Sequence, residues 1–369
     1  MSRIFFIVLI FSIMTQSCKN DNLNKQEVAM NRIDSLFLSQ YPENEPGAEV
    51  LVLKGDSVIF QKGYGISNME TGTPIDENTF FNIASVSKQF SGVAIMILSE
   101  EGKLSLDDNV KKWFPDFKAE FFERITLRHL LSHSSGIPDS RDRKDRTFVT
   151  TATDVESYSY LANLDSLNFE PGTSYEYMNP TFQLMYTIVE KASGVNFDTF
   201  MRERIFNPAG MKESTYFEAD KEIPRMAHGY LQNQETGHFD EFDYGEESFF
   251  ATKADGGLYT SVVEFVRWEK ALRDNRLISE SALKEAHTPK IKIKDIPFNS
   301  YGYGWFIEEK PEYPTKIYHT GDNGGFQIYA GRYPEQKILY LIFSNRNDRD
   351  RESNAQKIDA ILKEAGLLN

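Results

Sequence analysis

The feature that most constrains this chain is the placement of its strand-like stretches at the two ends, with helical stretches between them. Near the front, Val50-Leu51-Val52-Leu53 leads through Gly55-Asp56 to Val58-Ile59-Phe60, which reads as a β-hairpin. A second turn falls at Gly72, ahead of Phe80 and Phe81. Towards the end, residues 303–307, 316–319, 327–333 and 338–343 read as a meander, closed by a helix over 354–365. In the middle, apolar positions recur at helical spacing from Ser85 onward (Phe90, Val93, Ala94, Ile97, Leu98), and Gly102 closes that helix. Further helices are predicted over 126–132, 181–193, 197–205 and 261–272. Strands first, helices next and strands last imply an α+β fold. One antiparallel sheet is built from both chain ends, with flanking helices and a mainly helical region, about 105–260, inserted between them.

Charge narrows the partners. The 369 residues carry a formal net charge of −14, which repels polyphosphate and argues against nucleic acid. The densest basic stretch, residues 141–146, is interrupted by Asp142 and Asp145 and reads as a solvated loop.

The front of the chain has its own logic. Arg3 precedes an apolar run from Ile4 to Met14, followed by Thr15-Gln16-Ser17-Cys18. That is a charged start, a short apolar segment and a small residue before a cleavage site, too short to span a bilayer. Residues 1–17 are therefore expected to be a signal peptide. Cys18 is the single cysteine, so no internal disulfide can form and the core must hold the fold. The segment resembles the start of a bacterial lipoprotein. The resemblance implies lipidation of Cys18, a tether over 18–30, a catalytic domain over 31–369 and a place in the cell envelope. The other reading is an ordinary secreted protein.

Three short motifs carry chemistry. In Ser85-Val86-Ser87-Lys88 a lysine three residues on shares a helical face with the serine, so its amine can reach the hydroxyl. A serine is a poor nucleophile until a base takes its proton, and a desolvated lysine can do that or tune another base. Alone the pattern is weak, since roughly one or two such pairs arise by chance in a chain of this length. Tyr177-Met178-Asn179, after Pro171-Gly172, offers a phenol as general base and an amide that can bind a substrate carbonyl or amine. His319-Thr320-Gly321 offers a hydrogen-bonding pair for a substrate carboxylate, with a glycine expected to let substrate approach the strand edge.

Read together and in order, these resemble the three motifs of the serine penicillin-recognising enzymes: S-x-x-K, Y-x-N, and K-T-G or its H-T-G variant. Residues 102–108 (GKLSLDD), 125–138 (ITLRHLLSHSSGIP), 254–259 (ADGGLY) and 301–305 (YGYGW) are similar to family segments as well. The resemblance runs from about residue 30 to the end and points to class C β-lactamases and D-Ala-D-Ala carboxypeptidases, with the β-lactamase/transpeptidase-like fold. It implies Ser85 as nucleophile, Lys88 as the cation that tunes it, and Tyr177 as proton relay, with either Lys88 or Tyr177 as first base. It implies Asn179, His319, Thr320 and Gly321 as substrate contacts, and the backbone N–H groups of Ser85 and Asp322 as oxyanion hole. No metal or organic cofactor is implied.

Histidine stands where β-lactamases carry lysine. An ordinary histidine is only partly charged near neutral pH, so the reading tilts towards a D-peptidase or esterase acting on a small-molecule or cell-wall peptide substrate. A true β-lactamase, and a catalytically silent membrane-tethered sensing domain, are the alternatives. His129 and His133, four apart, lack the Glu and third ligand of a zinc site. His228, His238 and His287 read as surface residues.

Overall fold

The computed structural model describes residues 25–139, 152–218, 221–241 and 252–368. The expected signal peptide, Cys18 and the start of the tether lie outside the described residues. The tether is shorter than expected, because a helix (α1) occupies 25–38 and buries Ala29 and Met30. Those two apolar residues fall on the core-facing stripe of α1, so they belong to the domain.

The main sheet has eight antiparallel strands assembled from both chain ends, as the strand pattern implies. The chain-start strands are β1 (Ala48–Lys54) and β2 (Ser57–Tyr64). The chain-end strands are β3 (Ile291–Lys292), β4 (Asn299–Tyr301), β5 (Phe306–Glu308), β6 (Lys316–Asn323), β7 (Phe326–Tyr333) and β8 (Ile338–Ser344). The spatial order is β3-β4-β5-β6-β7-β8-β1-β2, so the first strand of the chain seals against the last, from Ala48 opposite Ser344 to Lys54 opposite Ile338.

β1 reads as a continuous apolar run because the sheet is covered on both faces. Val50 and Val52 pack with α1 and the final helix α5 (Arg351–Glu364), whereas Leu51 and Leu53 face the larger core on the other side. That core holds α2 (Lys88–Glu100), α3 (Asn179–Ser193) and α4 (Val262–Arg273). The inserted region is less purely helical than expected. It contains short strands, among them Thr215–Tyr216 and Leu258–Thr260, which pair with each other, the second also with Phe81–Asn82 from before the insertion. Residues 303–305 are not strand either. They bend so that Gly304, at φ +93°, lies against the Lys88 carbonyl, which a Cβ there would meet at 2.8 Å.

One buried ionic cluster ties β5, β6 and α5 together. Lys316 Nζ lies 2.7 Å from Glu308 and 2.8 Å from Asp359, with the Lys316 and Asp359 side chains almost wholly enclosed. Removing one partner of a buried pair leaves the other charge uncompensated and costs about 3–5 kcal/mol. Lys316→Ala is accordingly expected to lose about that much stability in urea denaturation. A loss within about 1 kcal/mol, the range of an exposed pair, would show that the cluster is not needed for stability.

Candidate active site

Ser85 sits on a tight turn. Ala84–Ser87 form a 3-10 turn that runs into α2, so Ser85 caps no helix; the Ser87 hydroxyl accepts from the Leu258 N–H instead. Ala84 adopts φ +47°, a left-handed conformation costing about 1–2 kcal/mol for a residue with a side chain. It is held there by the Asn82 side chain, which accepts from the Ala84 N–H at 2.8 Å, and by β6 crossing behind the turn. A Cβ on Gly321 would fall 2.4 Å from the Ile83 carbonyl and 3.0 Å from the Ala84 Cβ. The glycine of the H-T-G triplet therefore lets the strand and the turn that carries Ser85 touch.

Lys88 is fully buried, and its amine joins three segments. Nζ lies 3.0 Å from Ser85 Oγ, 2.9 Å from Asn179 Oδ1 and 2.7 Å from the Asp255 carbonyl. Two of these partners can only accept, whereas the Ser85 hydroxyl can donate or accept. A neutral amine that donates to Asn179 and Asp255 has its lone pair left for the Ser85 proton. An amine so placed can take a proton from the Ser85 hydroxyl.

Tyr177 stands beside this amine, its ring centroid 5.0 Å from Lys88 Nζ. Phe306 stacks on it at 6.3 Å, and His133 lies 4.3 Å away. His133, itself left-handed at φ +53°, holds the segment by two bonds. Its Nδ1 accepts from the Met178 N–H at 3.2 Å, and its carbonyl accepts from the Glu176 N–H at 3.0 Å. Burial, then the neighbouring Lys88 and His319, push His133 well below the usual histidine range. Asn179 opens α3, with its amide oriented by two neighbours: Oδ1 faces Lys88, and Nδ2 donates to Asp139 at 3.4 Å.

His319 is also fully buried. Its Nδ1 donates to the Thr320 carbonyl at 2.6 Å, which leaves Nε2 to accept from the Tyr301 hydroxyl at 2.8 Å. Burial and the nearby Lys88 push its pKa down to about 3. The imidazole is thus neutral at physiological pH, not partly charged as an ordinary histidine would be. The cation at this edge is Arg351 at the start of α5, which donates to the Gly321 carbonyl and lies 3.4 Å from Asp322 Oδ2. The Asp322 side chain is 60% exposed and lies at the rim of the cavity beside Arg351. β5 pairs with β6 only over Lys316–Tyr318, so among the described residues the edge of 319–323 has no strand partner on that side.

These residues line one cavity of about 350 Å³: Ser85, Tyr177, Asn179, His319, Thr320 and Asp322 all face it, with Phe306, Gln183, Asp255 and Arg351. The structure brings the residues of all three motifs to one place. From sequence, His133 was weighed only as a metal ligand, and Asp139, Asp255 and Arg351 were not singled out. The first three sit in or beside segments noted as familiar, but Arg351 precedes the expected helix and carried no signal.

The remaining histidines divide. His129 accepts from the Thr126 N–H in a helix-start capping box. Among the described residues no group of three or more His, Cys, Asp or Glu could hold a metal ion. His238 is exposed, and His228 pairs with Glu241 at 2.5 Å. His287 is half-buried, not free on the surface: its ring packs edge-on against Trp305 at 4.7 Å, and burial lowers its pKa well below the usual range.

Comparison with known proteins agrees with this layout. The Beta-lactamase family model matches residues 37–363. Penicillin-binding protein 4* of Bacillus subtilis (strain 168) is 28% identical over 345 residues, covering 90% of this chain and 74% of that protein. Protein flp of Staphylococcus aureus (strain MW2) is 26% identical over 82% of this chain, which spans only 60% of that relative. The octameric penicillin-binding protein homologue from Pyrococcus abyssi superposes with a TM-score of 0.78 at 27% identity, covering 91% of this chain and 77% of that one.

The state of His319 has a thermodynamic consequence. A histidine held at about 3 when folded and near its ordinary 6.5 when unfolded contributes stability that is fully present above pH 6.5. That stability is lost as the pH falls from 6.5 towards 3. Between pH 7 and pH 5 the wild type should lose about 2 kcal/mol more than His319→Gln in chemical denaturation. Equal losses would mean that the imidazole takes up its proton without penalty.

Proposed function

The chain belongs to the Beta-lactamase family of serine hydrolases, and from that premise we propose that it cleaves an amide or ester bond through an acyl-enzyme on Ser85. One observation carries the proposal: a buried amine that also meets two acceptors, Asn179 Oδ1 and the Asp255 carbonyl, stands 3.0 Å from the Ser85 hydroxyl, at the wall of a cavity.

Ser85 Oγ attacks the carbonyl while its proton passes to Lys88, directly or through Tyr177. The backbone N–H groups of Ser85 and Asp322 receive the negative oxygen of the tetrahedral intermediate. Tyr177 returns the proton to the leaving group. Water then enters by the reverse path, losing its proton to the same pair and releasing the acid from Ser85. Asn179, oriented by Lys88 and Asp139, presents its amide to the substrate.

The substrate is a D-amino-acid-containing peptide of the cell-wall type or a small ester. With His319 neutral, carboxylate recognition falls to Arg351 and to the Thr320 hydroxyl. That arrangement lacks the fixed strand cation on which the sequence comparison with β-lactamases turned. Export follows from residues 1–17, and a lipid on Cys18 would hold the domain at the envelope surface, where such peptides are found.

Intact-mass spectrometry after a fluorophosphonate or penicillin is expected to show one adduct that is absent in Ser85→Ala. A wild type without adduct, or an adduct that persists in the variant, would reveal a silent binding domain or another nucleophile. Among nitrocefin, a D-Ala-D-Ala peptide and p-nitrophenyl esters, the last two are expected to turn over faster; rapid nitrocefin hydrolysis would make the chain a β-lactamase. Globomycin treatment of expressing cells should accumulate a larger precursor, and unchanged processing would rule out lipidation of Cys18.

A further inference from the structure

Lys88 takes one of its acceptors from a stretch of backbone that is neither helix nor strand. The Asp255 carbonyl, 2.7 Å from Lys88 Nζ, lies in a turn over residues 254–256. The peptide unit that carries it continues into Gly256, and glycine restrains its own backbone least of all residues. Packing does not lock the unit either, since a Cβ on Gly256 would meet nothing nearer than 3.8 Å. What points this carbonyl at the amine must therefore come from side chains.

Three helices supply them. In the short helix Asp154–Tyr158, Asp154 accepts from the N–H groups of Lys253 and Ala254 at 2.6 and 3.1 Å. From α2, the Ser91 hydroxyl donates to the Ala254 carbonyl at 2.5 Å. These bonds hold the chain as it enters the turn. At Asp255 the hold is the side chain, whose Oδ2 accepts from Gln183 Nε2 of α3 at 3.2 Å. The Gln183 amide has one orientation, because its oxygen accepts from the Ser157 hydroxyl at 2.8 Å and its nitrogen is thereby turned to Asp255. Ser157 lies three residues after Asp154, so one face of the short helix serves both contacts.

We propose that Gln183 is a positioning residue for the reaction of Ser85: its amide sets the Asp255 side chain, and through it the carbonyl to which Lys88 donates. Gln183 lies four residues after Asn179, on the same face of α3. Asn179 Oδ1 is itself an acceptor for Lys88, at 2.9 Å. One helix face thus reaches the buried amine twice, directly through Asn179 and indirectly through Gln183 and Asp255. Misplacing a reacting group by about 1 Å can cost about a hundredfold in rate, so a contact one residue removed from Lys88 still acts on Ser85. The inference rests on the hydrolase reading for that effect on rate, whereas the contacts themselves do not depend on it.

Labelling of Ser85 by a fluorophosphonate, followed as a rate against pH on the full chain, tests the proposal. Gln183→Leu removes the amide and keeps an apolar side chain of similar length. It is expected to label about tenfold more slowly than the wild type on the plateau of the curve. The midpoint of its curve is expected to fall by about half a unit or more, because the charged form of Lys88 has lost a fixed acceptor. Ser157→Ala removes only the hydroxyl that orients the amide. It is expected to move both quantities the same way by less, and it carries the test should Gln183→Leu not fold. An unchanged rate overturns the proposal, and so does a slower rate with an unmoved midpoint, which a loosened cavity alone would give. A wild type with no Ser85 adduct removes the hydrolase reading instead. The crystal structure of the folded variant then decides: the Asp255 carbonyl is expected to lie beyond about 3.5 Å from Lys88 Nζ. A carbonyl still at 2.7 Å overturns the inference.

Discussion

The burial of Lys88 is the constraint on which the rest of the architecture turns. A lysine amine in a protein interior must have acceptors on every side, and here they come from three distant parts of the chain: Ser85, Asn179 and Asp255. To bring them together, α2 has to lie inside the core, which requires glycines at its close contacts. A Cβ at Gly92 would meet the Tyr303 carbonyl at 2.7 Å, and one at Gly304 would meet Lys88's own carbonyl. α3 must begin at Asn179 and not later, and the ADGGLY segment must turn its backbone inward. The sheet that closes from both chain ends supplies the wall against which these pieces are held.

How far this was legible in the sequence follows from the physics of each signal. The strands that close the sheet, and the helix carrying Lys88, announce themselves by apolar periodicity, because burial acts on every residue of an element. The S-x-x-K, Y-x-N and H-T-G triplets were legible as residue types. The reason for Gly321 was not: the Ile83 carbonyl it accommodates is more than two hundred residues away in the chain. His287 was misread for a similar cause, since its sequence neighbours are polar while its burial comes from Trp305. Residues 303–305 have strand-like composition, yet the approach of Lys88 to Gly304 bends them out of the sheet.

The boundary residues show the same limit from another side. Arg351 lies at the first turn of a helix whose apolar pattern starts further on, so periodicity does not reach it. Its role comes from where α5 begins relative to β6. Asp255 and His133 lie within segments that looked familiar as strings, but the string does not say which atom faces the cavity. Asp255 serves Lys88 with its backbone carbonyl, a role that no motif expresses.

Charge placement around β6 then accounts for the histidine at position 319. A second cation on this strand, fully buried and close to Lys88, would be opposed by both desolvation and repulsion. Those are the two effects that hold His319 neutral. The positive charge at this edge is carried instead by Arg351, anchored to the Gly321 carbonyl and partly solvated, where it costs less to keep. In the proposed mechanism, binding of an anionic group and activation of Ser85 fall to different elements, α5 and α2. The start of α5 can change its selectivity without disturbing the amine that drives the chemistry, whereas a charge placed on β6 would act on both.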